Sequence, residues 1–268
     1  MPLFHLLLIA VIQGVTEFLP ISSSGHLILI SKLTDLQDQG PLIDVAVHVG
    51  TLGAVILFFW RDVKAAGAGV PQALAGRTDT PGARLAIGLF VATLPVIALG
   101  AVLYAADLVE AMRSTAVIGW MMLIFGFVLF WADHTGASDK RAERWTLRDA
   151  VIMGLWQALS LIPGTSRSGI TITAGRKLGY AREDAARLAM LMSIPTIAAS
   201  GILLGADAAI AMNGAVVLDA AIAAGFAFLA ALLALSLMMR LLRSVDFTPY
   251  VIYRVILGLI LLVIAYAG

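Results

Sequence analysis

Gln13-Gly-Val-Thr-Glu17-Phe-Leu-Pro20-Ile-Ser22-Ser23-Ser24-Gly25-His26 places an amide, a carboxylate, a run of serines and an imidazole between two apolar runs, Leu6 to Val11 and Leu27 to Ile30. In an apolar medium each of these groups is costly unless it is paired or used. A helix over residues 3 to 19 puts Gln13 and Glu17 four apart, on one face and aimed at one site. Pro20 stops that helix. Ser22 to Gly25 then read as a short non-helical crossing, and a second helix is expected to start near His26. The product is a helix-loop-helix with a polar tip, where hydroxyls and free backbone N–H groups converge beyond Glu17.

The flanks of this stretch set its medium. Of 268 residues, 60% are hydrophobic and 13% charged, with a mean hydropathy of +0.96. A soluble domain carries about a quarter charged residues, so the chain reads as an all-α integral membrane protein. No cysteine is present, which excludes disulfides, thiolate nucleophiles and cysteine metal ligands. No basic region precedes Leu3, so the first apolar stretch is expected to belong to the mature protein.

A span needs about 20 mostly apolar residues. Six segments meet this, near 41–60, 84–104, 113–132, 184–205, 215–239 and 249–267. Two further apolar regions, 3–31 and 149–178, are interrupted midway by proline and a Ser/Gly cluster and read as re-entrant hairpins. The second interruption, Gln157-Ala-Leu-Ser160-Leu-Ile-Pro163-Gly164-Thr165-Ser166-Arg167-Ser168-Gly169, resembles the first once a one-residue gap is allowed. Each half is therefore a broken hairpin followed by three spans, approximately 1–133 and 147–268. An odd number of crossings inverts the second half, and such inverted repeats put their site where the broken elements meet near the midplane.

Charge tests this topology. One side of the expected bundle collects Arg61, Lys64, Arg77, Arg84, Lys140, Arg141, Arg144, Arg148, Arg176, Lys177, Arg182, Arg187, Arg240 and Arg243, while the other has Lys32 and Arg113. The bias makes the first side cytoplasmic and puts both termini outside. Arg254, near the start of the last span, reads as interfacial with its head group snorkelling, or as functional. Arg167, at depth in the second tip, has no such explanation.

A buried arginine among Ser, Thr and Gly backbone N–H groups is a site for a phosphate or another oxyanion. Gln13 and Glu17 offer oxygen ligands to a hard divalent cation, Mg²⁺ or Ca²⁺, bridging carboxylate to phosphate. His26 can serve as acid, base or nucleophile, and Ser22, Ser23 and Ser24 supply candidate hydroxyl nucleophiles. These are the parts of a phosphoryl-transfer site. Other polar groups have plainer readings. Single serines in membrane helices bond the preceding turn, and Gln13 can be read as a bridge between helices. His48 with Asp44 reads as a packing pair, and His5 and His134 as interfacial. Gly50, Gly53, Gly119, Gly126, Gly201 and Gly205 read as close-packing positions.

At Gln13 and Glu17, at Phe18-Leu-Pro-Ile-Ser-Ser-Ser-Gly-His26 and at Pro163-Gly-Thr-Ser-Arg-Ser-Gly169, the chain resembles the undecaprenyl-diphosphate phosphatase family, the bacterial membrane enzymes associated with bacitracin resistance. The resemblance covers the whole chain, with a weaker echo at Ser193-Ile-Pro195. It implies hydrolysis of undecaprenyl diphosphate to the monophosphate and phosphate, which recycles the carrier for peptidoglycan, with a divalent cation assisting and a site opening to the outer face of the cytoplasmic membrane. By the same resemblance Glu17 and His26 are essential, Ser23 is the proposed nucleophile, and Arg167 with Ser166 clamps phosphate. Ser22, Ser24, Gly164, Thr165 and Ser168 complete the expected substrate-binding set. Position 13 departs from the commoner glutamate, which shifts metal affinity and base work toward Glu17.

Three nucleophiles stay open: Ser23, His26, and a water activated by Glu17. A transporter or flippase for an anionic prenyl lipid is the alternative function. Transport needs binding groups only, whereas Glu17, Ser23 and His26 also supply a nucleophile and a proton carrier. A channel or purely structural bundle fits the buried ionisable cluster poorly. The expected partners are the lipid substrate and the bilayer, with no nucleic acid; whether the chain forms a homodimer is left open by the residues.

Overall fold

The two interruptions are where the local structure is decided. A residue before proline is pushed out of the α region. Accordingly Leu19, before Pro20, is extended (φ −68°, ψ 142°), as is Ile162 before Pro163 (φ −80°, ψ 116°). The structure, a computed structural model, describes the chain except residues 1, 34–39, 107, 109–111, 209–213 and 268. The first hairpin is α1 (Leu3–Phe18) and α2 (Ser23–Leu33). Between them are α3 (Gly40–Phe58), α4 (Trp60–Leu74), α5 (Pro81–Ala105) and α6 (Thr115–Thr135), then the second hairpin, α7 (Leu147–Ala158) and α8 (Arg167–Lys177). The chain ends with α9 (Arg182–Ala208), α10 (Gly214–Leu241) and α11 (Thr248–Ala267).

The second helix of the first hairpin starts at Ser23, three residues before the expected His26. Ser22 takes a left-handed conformation (φ 70°) and lets the chain turn directly into α2. Ser166 does the same at the head of α8 (φ 70°), and its Oγ accepts from Gly169 N at 3.1 Å, capping the helix. Among the described residues, five helices are long and apolar enough to span a bilayer, α5, α6, α11 and the bulk of α9 and α10. Leu42–Phe58 and Trp60–Leu74 count as a sixth only when taken together as one broken span. The chain bends by 91° between them, so the stretch expected as a connection after 60 is an amphipathic helix folded across the start of α5. The expected connections near 32–40, 105–112 and 206–214 lie largely outside the described residues.

Packing repeats between the halves. Helix α1 packs on α10 as α7 packs on α5, α2 meets α11 as α8 meets α6, and the pairs α3–α9 and α6–α11 close the middle. Small residues make these approaches close. A Cβ at Gly14 would stand 2.6 Å from the Ala227 carbonyl oxygen, and one at Gly50 would stand 2.1 Å from that of Ala224. Gly201, expected to serve packing, faces open space instead. Large apolar side chains such as Phe90, Phe127, Leu233 and Val263 are exposed on the outer surface, as a chain solvated by lipid requires.

Several basic residues of the expected cytoplasmic side are tied to acidic partners, and one of them, Arg176, is buried. Asp133 accepts from Arg176 Nε and Arg182 Nε, each at 2.8 Å, and from Phe247 N at 3.2 Å. Arg187 holds Asp62 with two hydrogen bonds and Glu143 with a third. These bonds tie the ends of α6 and α8 to the starts of α9 and α11, and the start of α4 to α9.

Candidate active site

The tips of the two hairpins touch. Ser24 Oγ accepts from Gly164 N at 3.2 Å, and Ser168 Oγ donates to the Leu19 carbonyl at 3.0 Å. Matching serine pairs shape the two turns: Ser22 Oγ lies 3.0 Å from Ser24 Oγ, and Ser166 Oγ lies 3.1 Å from Ser168 Oγ. Gly164 carries φ 91° with its Cα against Ile118, where a Cβ would meet the Ile118 carbonyl oxygen at 2.5 Å. Only glycine suits that position.

Arg254 locks the tips. Sequence reading left it interfacial or functional; it is fully buried, and its guanidinium donates to the carbonyls of Pro20 (3.3 Å), Gly164 (3.1 Å) and Thr165 (3.1 Å) and to those of Met121 and Met122 on α6. One cation thus ties both hairpins to α6 and α11.

Between the tips lies a cavity of about 130 Å³ lined by Glu17, Ser22, Ser23, Ser24, Ser160, Gly164, Ser166 and Arg167. Such a space exceeds the share of liquid volume of a few waters and suits a phosphoryl group. Arg167 Nη2 donates to Glu17 Oε1 at 2.8 Å, joining the hairpins across 150 residues of sequence. Its Nη1 is buried and has no partner among the described residues, leaving one donor of the fork for an oxyanion. Ser23, first residue of α2, donates from Oγ to Glu17 Oε2 at 3.1 Å. A hydroxyl already bonded to a carboxylate, beside a guanidinium and a helix N-terminus, can attack phosphorus and pass on its proton.

Gln13 sits behind Glu17 and donates from Nε2 to Glu17 Oε2 at 2.9 Å. The same Nε2 is 3.1 Å from His48 Nε2, which lies 4.0 Å from Glu17 Oε2. His48 is therefore part of the site and no mere packing partner for Asp44. Its Nδ1 is 2.7 Å from the Asp44 carbonyl, which can only accept, so in the neutral ring Nε2 accepts from Gln13. This orientation leaves Gln13 Oε1 buried and without a partner among the described residues.

That orphaned oxygen beside a single carboxylate fits a hard cation in the manner of magnesium sites, where one or two carboxylates share the ion with substrate phosphates. No cluster of three or more His, Cys, Asp or Glu side chains able to hold a metal occurs among the described residues. Gln13 Oε1 and Glu17 are the protein groups that would be available to such a cation.

Of the expected site residues, Glu17, Ser22, Ser23, Ser24, Gly164, Ser166 and Arg167 line the cavity. Thr165 and Ser168 are buried in the contact between tips and do not line it. His26 is turned outward, with Nδ1 2.8 Å from the Ser22 carbonyl and Nε2 2.6 Å from Tyr253 Oη. Sequence reading missed Ser160, His48 and Tyr253 as parts of this constellation and left Arg254 undecided. The first lies in the quoted second motif; the others lie on apolar helices and carry no local signal.

Residues 6–260 match the family described as bacitracin resistance protein BacA. Full-length relatives from Ruegeria pomeroyi and Jannaschia sp., both named undecaprenyl-diphosphatase, are 67% and 66% identical to this chain, with all of each chain covered. A protein of Rhodospirillum rubrum named undecaprenyl-diphosphatase 1 is 46% identical across the whole of this chain and 97% of its own length.

Proposed function

The chain belongs to the bacitracin resistance protein BacA family, and on that footing we propose that it hydrolyses undecaprenyl diphosphate to undecaprenyl phosphate and inorganic phosphate. The reaction returns the lipid carrier to peptidoglycan synthesis and confers bacitracin resistance. The observation that carries the reading is the contact of Arg167, from one hairpin, with the Glu17–Ser23 pair of the other.

The chemistry follows from these positions. The free Nη1 of Arg167, the α8 N-terminus and the serine hydroxyls bind the terminal phosphoryl group and the charge it develops. Ser23 Oγ attacks the terminal phosphorus as its proton passes to Glu17 Oε2, already its hydrogen-bond acceptor. The bond from that phosphorus to the bridging oxygen breaks, and undecaprenyl phosphate leaves with the bridging oxygen. Glu17 passes the serine proton to the departing undecaprenyl phosphate and is a carboxylate again; water then attacks the phosphoserine as Glu17 takes its proton and hands it to Ser23 Oγ, so the Ser23 Oγ–P bond breaks and phosphate is released. A divalent cation held by Glu17 and Gln13 would neutralise diphosphate charge. The outward position of His26 supports Glu17 over His26 as the base.

The charge bias of this multi-pass protein supports a cytoplasmic-membrane orientation with both termini outside, the cavity at depth and the site reached from the outer face. The matched packing of the halves supports an inverted repeat of approximately 1–133 and 147–268. The test is phosphate release from undecaprenyl diphosphate by purified protein, with and without EDTA, beside Glu17→Ala and Arg167→Ala. Release that is metal-dependent and lost in both variants is expected. A folded wild-type protein that releases none, yet moves the lipid across vesicles, would replace this reading with a flippase.

A further inference from the structure

Tyr253, on α11, lies outside every motif of the sequence, yet its ring is parallel to that of His26 (interplanar angle 8°, centroids 5.5 Å apart) and its hydroxyl is 2.6 Å from His26 Nε2. The other ring nitrogen, Nδ1, is 2.8 Å from the Ser22 carbonyl. A carbonyl only accepts, so Nδ1 carries the proton; in the neutral ring Nε2 is then the acceptor and the Tyr253 hydroxyl the donor. Ser22 is the residue with φ 70° whose turn starts α2, and the next residue, Ser23, presents its hydroxyl to Glu17. A continuous line of bonds therefore runs from α11 through the imidazole to the turn that aims Ser23. Each bond in such a chain polarises the next.

We propose that Tyr253 is a positioning residue of the reaction: by donating to His26 Nε2 it fixes the Nδ1–H tautomer, which grips the Ser22 carbonyl and holds the serine turn in its attacking geometry. His26 then acts as a strut between α11 and the turn, which explains why an imidazole belongs at a place that does not line the cavity. The role of the strut in catalysis rests on the phosphatase reading; the tautomer does not.

Two measurements test this on full-length protein in detergent micelles. The chain has four histidines, so ¹⁵N-histidine spectra are sparse, and the His26 signals are assigned by their absence in His26→Asn. The wild type is expected to show His26 protonated at Nδ1, with Nε2 shifted by an accepted hydrogen bond. Tyr253→Phe, isosteric and on a surface half-exposed to lipid, is expected to move Nε2 to the free, unbonded position. The same variant is expected to lower kcat for phosphate release about tenfold, with KM unchanged within about twofold, the scale of one lost hydrogen bond. An Nε2–H tautomer in the wild type overturns the proposal, even if the variant fails to fold. So does an unmoved Nε2 signal in Tyr253→Phe, or an unchanged kcat. A wild type that releases no phosphate overturns the phosphatase reading, while the spectra still decide the tautomer.

Discussion

Replacing Arg254 by Met keeps an unbranched apolar stem against Gly126 and removes the guanidinium that binds five carbonyls. Met121 and Met122 lie within α6, where their carbonyls also accept helical bonds, so their loss costs little. Pro20, Gly164 and Thr165 lie in the non-helical tips, and Arg254 is the donor given to each. Stranding a buried acceptor costs about 1–3 kcal/mol, so three cost about 3–9 kcal/mol. Releasing the guanidinium from its desolvation returns several kcal/mol, which cancels the upper part of that range. A net loss of about 3 kcal/mol remains, and at about 2–4 °C per kcal/mol for a chain of this size the melting temperature falls by about 6–12 °C. Scanning fluorimetry in detergent reads the shift directly, and phosphate release should fall with it because both tips lose their common anchor. Melting within 2 °C of wild type, with full activity, would refute the view that Arg254 holds the tips together.

Ser23→Ala should reduce phosphate release by about a thousandfold or more if the serine hydroxyl is the nucleophile; full activity would assign attack to water or His26. His48→Ala frees one amide hydrogen of Gln13 and should lower kcat/KM about tenfold, and His48→Gln, which can accept that hydrogen again, should recover most of it. Gly50→Ala drives a Cβ to 2.1 Å from the Ala224 carbonyl oxygen and should cost about 1–3 kcal/mol in melting experiments, whereas Gly201→Ala, with nothing within 4 Å, should leave stability unchanged or slightly raised.

The helical class, the two broken hairpins and most of the cavity lining were legible in the chain because their causes are local. Proline acts on its preceding residue, as Leu19 and Ile162 show. Gln13 and Glu17 share a face by helical periodicity, and the serines beside Pro20 and Pro163 can only be tip residues. The start of α2 was placed three residues late because the left-handed Ser22 is a choice of turn geometry that residue type does not announce. The bend of α3 into α4 was hidden for a related reason: an amphipathic helix after a span reads like a polar connection.

Arg254, His48 and Tyr253 were beyond local reading on different grounds. His48 lies on one apolar helix and the neighbouring Tyr253 and Arg254 on another, where nothing in the local pattern sets a site role apart from an interfacial or packing one. Their site partners lie far along the chain, and for Arg254 they are carbonyl oxygens, which every residue carries and no motif records. What the sequence determined by itself was the set of polar groups that hydrocarbon could not tolerate unpaired. Which of them meet, and that one arginine, one tyrosine and one histidine from distant spans hold them in place, was decided only when the packed helices brought buried donors within reach of the acceptors that each tip left open.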